Sequence, residues 1–99
     1  MATERHRTAT VLELTVNDHP GVMSHVTGLF SRRAFNVDGI LCMPVGDGLH
    51  SRIWLRVNEE ARLDQVVRQL EKLHDVTEVR RHGADHEVFV ELERFFSLG

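Results

Sequence analysis

Leu12, Leu14 and Val16 alternate with Glu13 and Thr15, a period of two that predicts a half-buried strand over Thr10–Asn17. The period then changes. Val22, Val26, Leu29 and Phe30 form one apolar stripe at helical spacing, with Ser24, Thr27 and Arg32 off it, which predicts a helix over Pro20–Arg33. Pro20 suits the first helical position, where its missing N–H is not needed. Asn36 suits the left-handed turn expected after the helix. Val37 to Val45 is almost continuously apolar, broken by Asp38 and Gly39, and reads as a second strand. Pro44 cannot donate to a ladder, so that strand belongs at a sheet edge or ends there. Gly46-Asp47-Gly48 signals a hairpin turn. His50–Val57 alternates again, with Ile53, Leu55 and Val57 on one face and Arg52, Trp54 and Arg56 on the other.

Leu63, Val66, Val67, Leu70 and Leu73 predict a second amphipathic helix, with Asn58 as its cap and Glu59 and Glu60 complementing its dipole. Asp75–Arg81 reads as a weaker fourth strand, followed by a turn at His82-Gly83-Ala84-Asp85. Within Glu87–Leu98, Val88, Val90 and Leu92 alternate as in a strand, whereas Val88, Leu92, Phe95 and Phe96 fit a helix; the helix is preferred. The order β-α-β-β-α-β, with right-handed crossovers, is the ferredoxin-like α+β sandwich: two helices on one face of a four-stranded antiparallel sheet. Residues 1–9 read as a flexible tail, 10–82 as the domain and 83–99 as a C-terminal extension.

The chain has 99 residues, enough for one domain, which buries roughly 65% of its unfolded surface. Its net charge of −3 gives no electrostatic reason to expect nucleic acid. A single cysteine, Cys42, forms no internal disulfide, which fits a reducing compartment. No apolar run approaches a membrane span, and the polar start does not look like a secretory signal. A cytoplasmic location is the expectation.

The ferredoxin-like fold hosts many activities, so residues must decide. Metal carriers of this shape need paired cysteines in the first loop, and that loop has none. Base stacking needs aromatics on the middle strands, and Trp54 is alone there. A phosphate-cradling arginine is missing from the first loop, where Asp18 would repel such a ligand. The seven histidines are scattered and suggest no metal site. Cys42 reads as a small buried hydrophobe. No catalytic constellation stands out, and the chain reads as a binding module rather than an enzyme.

The informative stretch is Asp18-His19-Pro20-Gly21-Val22-Met23, a strand–turn–helix junction. The first N–H groups of a helix have no intrahelical acceptor and can bind a carboxylate. Asp18 beside them can bind an ammonium, and Gly21 lets a ligand approach the backbone. An α-amino acid carries both charges on neighbouring atoms.

Leu12–Val16, His19–Val26 and the run Gly28 to Ile40 together resemble an ACT domain. More closely they resemble the small regulatory subunit of acetohydroxyacid synthase, of the short, valine-sensitive type. The similarity continues through Leu41–Pro44 and Ile53–Leu55 and spans about Val11 to Val79. It implies a non-catalytic chain that activates a larger catalytic subunit and makes it valine-sensitive in branched-chain amino-acid synthesis. Thiamine diphosphate, magnesium and FAD would belong to that partner, with no cofactor in this chain. It also implies a homodimer paired through strand two and helix one, with the effector site at the junction. The corresponding positions here are Asp18, Gly21, Val22, Met23, Asn36 and Val37. Two departures stand out: the position of Asp18 is often asparagine in the family, and longer small subunits continue into a second domain. The alternative reading is a free-standing amino-acid-sensing ACT protein acting on another partner. Arg52, Trp54 and Arg56, on the face away from the two helices, are the expected surface for the catalytic subunit, since Trp and Arg are enriched at interface centres.

Overall fold

The computed structural model describes residues 9–58 and 61–97. The expected tail and His6, and the pair Glu59 and Glu60, lie outside the described residues, apart from Ala9. Strand β1 is Thr10–Asn17, helix α1 Val22–Arg32, β2 Val37–Pro44, β3 His50–Val57, α2 Leu63–Lys72, β4 Val76–His82 and α3 Glu87–Phe96. The sheet is antiparallel in the order β2-β3-β1-β4. The ferredoxin-like α+β expectation therefore holds, as does the helical reading of the C-terminal segment.

Alternation explains the layers. Leu12 pairs with Leu55 and Leu14 with Ile53, and these side chains, with Val16 and Val57, are fully buried against α1 and α2. α1 contributes Val22, Val26, Leu29 and Phe30, and α2 contributes Leu63, Val66 and Leu70. The Phe30 and Phe35 rings meet edge to face, their centroids 5.8 Å apart. Cys42 is half-buried and packs against this cluster, and burial pushes its thiol up from the usual value.

The opposite face is covered in part by α3. Ala9, Val11 and Phe89 are buried but lie outside the main cluster. Val11 pairs with Arg56, whose guanidinium lies 5.5 Å from the Phe89 ring centroid. A Cβ on Gly39 would sit 2.8 Å from Phe89 Cε1, so the ring seats only because position 39 is glycine. His86 caps the helix, its Nδ1 accepting from the Val88 N–H at 3.2 Å.

Three boundaries depart from expectation. Helix α1 begins at Val22, not Pro20; Gly21 occupies the N-cap with φ +89°, and Pro20 belongs to the turn before it. Asn36 is not the left-handed residue after α1; Ala34 is, with φ +56°. The Ala34 N–H reaches the Ser31 carbonyl at 3.1 Å and the Phe35 N–H reaches the Phe30 carbonyl at 3.0 Å, the bond pair of a Schellman ending. Burial of Phe35 holds this geometry. A left-handed alanine costs about 1 kcal/mol, so Ala34→Gly is expected to raise stability by roughly 0.5–1 kcal/mol in chemical denaturation. Helix α2 begins at Leu63 with Arg62 at its N-cap; Asn58 instead donates its N–H to the Asn36 carbonyl at 3.1 Å, which places it at the end of β3.

The two sheet edges differ. β4 exposes Thr77, Glu78, Arg80 and Arg81. On the β2 edge, Asp38 is the charged residue, set in a bulge where the register slips between Val37 and Gly39.

Candidate functional site

The β1–α1 turn is shaped by backbone geometry. The Asp18 N–H donates to the Leu49 carbonyl at 3.0 Å, tying the turn to the hairpin between β2 and β3. The Val22 N–H makes a long 3.4 Å bond to the His19 carbonyl. No side chain caps α1, so the next N–H groups of its first turn, at Met23 and Ser24, point toward incoming acceptors. Nothing lies within 4 Å of a Cβ built on Gly21, leaving open space above that end. Asp18 and Gly21 are exposed, whereas the side chains of Val22 and Met23 turn into or onto the core. What Val22 and Met23 offer a ligand is therefore backbone.

Asn36 and Val37 sit elsewhere. Val37 begins β2 and Asn36 precedes it, while the turn abuts the other end of the sheet, where Asn17 pairs with His50 and Pro44 with Ser51. The 11-residue helix α1 separates them, about 16 Å along its axis. One chain therefore does not bring the six expected effector residues together. Beside Asn36 and Val37 lies an apolar hollow of about 420 Å³ between α1 and β2, lined by Thr27, Phe30, Ser31, Phe35, Ile40 and Leu55 as well.

Arg52, Trp54 and Arg56 are half-buried on the α3 face. Arg52 Nε lies 3.2 Å from Glu13 Oε2, and Arg56 Nη1 lies 2.7 Å from Glu93 Oε1 on α3. The Trp54 ring stacks on His86 at 4.8 Å and His82 at 5.7 Å between centroids, and His82 Nε2 reaches Glu13 Oε1 at 2.8 Å. The helix thus shares this face. A hollow of about 550 Å³ remains beside it, lined by Leu41, Trp54, Leu92 and Phe95 among others, and Phe95 and Phe96 are each 79% exposed.

Sequence reasoning missed Asp75, which precedes β4. Its carboxylate accepts from Asn17 Nδ2 at 3.4 Å across 58 residues and pairs with His19. No spacing signal could have joined them. Among the described residues no cluster of His, Cys, Asp and Glu could hold a metal ion, and no helix is long and apolar enough to cross a membrane.

The profile of the AHAS small subunit-like ACT domain matches residues 12–78. The acetolactate synthase isozyme 1 small subunit of Escherichia coli K12 is 55% identical over 86 residues, covering 87% of this chain and 90% of that protein. The acetolactate synthase small subunit of Mycobacterium leprae is 39% identical over 82% of this chain, which spans 48% of that relative. Among solved structures, the acetolactate synthase small subunit of Thermotoga maritima superposes with a TM-score of 0.67 at 30% identity, covering 74% of this chain and 46% of that one. This chain thus spans nearly all of the first relative and about half of the other two. On this evidence the chain belongs to the acetolactate synthase small-subunit family and carries that family's ACT domain.

Proposed function

We propose that this chain is the non-catalytic regulatory subunit of an acetolactate synthase, raising the activity of its catalytic partner and making it responsive to a branched-chain amino acid, valine first. The observation that carries the reading is the 55% identity to the E. coli isozyme 1 small subunit across 90% of that protein. Thiamine diphosphate, magnesium and FAD chemistry would reside in the partner.

The effector site is completed by a second copy. Antiparallel pairing of two β2 edges about a two-fold axis sets the start of one β2 beside the end of the other. Asn36 and Val37 of one copy then approach the Asp18–Met23 turn of its mate, which repairs the separation found in a single chain. In that junction the effector carboxylate meets the Met23 and Ser24 N–H groups, its ammonium meets Asp18, and its aliphatic side chain enters the hollow beside Asn36 and Val37. The catalytic subunit docks on the other face, on Arg52, Trp54 and Arg56 together with the exposed end of α3. Two separate surfaces are what allosteric coupling requires.

Reconstitution tests this. Adding the chain to its cognate catalytic subunit is expected to raise acetolactate formation severalfold, and valine is expected to reverse the gain. A catalytic subunit indifferent to the chain, with and without valine, would refute the reading.

A further inference from the structure

His19 sits in the β1–α1 turn, and both of its ring nitrogens face acceptors. Nε2 lies 2.5 Å from Asp75 Oδ2, and Nδ1 lies 2.7 Å from the Pro20 carbonyl oxygen. Neither an ionised carboxylate nor a carbonyl has a proton to give. Both contacts are hydrogen bonds only when both nitrogens are protonated, as in the imidazolium. A neutral ring keeps one bond and aims a lone pair at the other oxygen.

Asp75 holds the end of β1 as well. Its backbone carbonyl accepts from the Asn17 N–H at 2.8 Å, and its side chain, 15% exposed, also receives the Asn17 amide. The other charged or titratable neighbours are Asp18, on the His19 side, and His74, on the Asp75 side. The Pro20 carbonyl first, then the Asp75 side chain, hold His19 above the ordinary histidine value. Burial pushes Asp75 up, but the hydrogen bonds from His19 and Asn17 outweigh it and leave the carboxyl below its usual range.

We infer that His19 and Asp75 form a protonation-dependent latch that positions the effector-binding turn Asp18–Met23, so that effector affinity falls as His19 loses its proton. The inference rests on the effector reading above and assigns His19 a positioning role. The sign follows from linkage. A raised value in the folded chain makes the latch complete below the unperturbed histidine value of about 6.5, and it is lost as pH climbs through the raised value. The site should therefore be tightest under mildly acidic conditions and loosen on the alkaline side.

The full chain tests this between about pH 6 and pH 9, the range around histidine titration. Ring-nitrogen NMR of His19 and amide exchange at Asp18, His19 and Val22, whose N–H groups are hydrogen-bonded in the turn, need no effector. Calorimetry with valine on wild type, His19→Gln and Asp75→Asn then reads coupling. Expected are two protonated His19 nitrogens at the acidic end and loss of amide protection along the His19 curve. A fall of about threefold to tenfold in wild-type valine affinity should follow that curve. His19→Gln experiences the same titration of valine itself and should lack this extra slope; Asp75→Asn should lower the His19 midpoint. A His19 midpoint indifferent to Asp75→Asn, amides that ignore the His19 curve, or equal slopes in wild type and His19→Gln would each overturn the inference. No valine binding at any pH would sink the effector reading and the coupling with it, while the NMR and exchange data would still decide whether the latch exists.

Discussion

Gly21→Asp is expected to bind valine about thirtyfold more weakly than Gly21→Asn. Gly21 holds φ +89° with open space around it, so any side chain pays for backbone conformation and not for collision. Asparagine and aspartate are both tolerated in that region, and their difference is charge. At the N-cap the new carboxylate is favourable to α1 itself, so the aspartate variant should fold at least as well as the asparagine one. It would, however, occupy the approach to the Met23 and Ser24 N–H groups. Two carboxylates about 4 Å apart near a protein surface repel by about 4 kcal/mol. Letting the side chain swing away leaves on the order of 2 kcal/mol, about thirtyfold in affinity. Calorimetry on the two variants measures the ratio directly, with circular dichroism as the check on folding. Equal affinities would mean that the ligand carboxylate binds somewhere else.

Phe89→Ala is expected to release α3 while the rest of the domain stays folded. Removing a buried phenylalanine costs about 3–5 kcal/mol, and few other contacts would keep the helix in place. They include the Arg56–Glu93 pair, the His86 ring against Trp54 and His82, and half-buried Leu92 beside Leu41, while Phe95 and Phe96 face outward. Phe89 does not belong to the main cluster, so the loss is local. Hydrogen exchange should show α3 amides near unprotected rates with β1 and β3 still slow, and the emission of Trp54, the single tryptophan, should shift toward that of a hydrated indole. Gly39→Val should cause the same lesion from the sheet side, since a Cβ there already reaches the ring. Global unfolding of either variant would show that α3 is integral to the main fold.

Much of this architecture was legible in the pattern of apolar residues. β1 and β3 are each buried on one face by the same packed layer, so period two is written without interruption from Leu12 to Val16 and from Ile53 to Val57. α3 was legible as a helix because Val88, Leu92 and Phe95 keep helical spacing, but its seat was not. That seat depends on a ring fitting over Gly39, a contact between distant segments. Helix ends were read one or two residues off where the left-handed conformation falls on Gly21 and Ala34, since neighbouring residues were equally plausible by type. The acid, proline and glycine of the β1–α1 turn marked a strand–turn–helix junction, and the structure has one there, with Gly21 at an N-cap that no side chain fills. The separation of Asn36 and Val37 from that turn, by the length of α1, follows from topology, which no local pattern records. Asp75 carries no motif, and only the folded turn brings it to His19.

The unequal rims of the sheet bear on how far this protein can assemble. The β2 rim is poor in charge and able to accept a neighbouring strand; the β4 rim presents Glu78, Arg80 and Arg81. Charged side chains along an outer strand discourage further pairing. Two copies joined along β2 would hide both receptive rims and turn only β4 rims outward. Growth would terminate at the pair instead of propagating into a ribbon. Raising the concentration would then convert singles into pairs and add nothing longer, so the receptive strand proposed to complete the effector site would be withdrawn from fibre formation by the same contact.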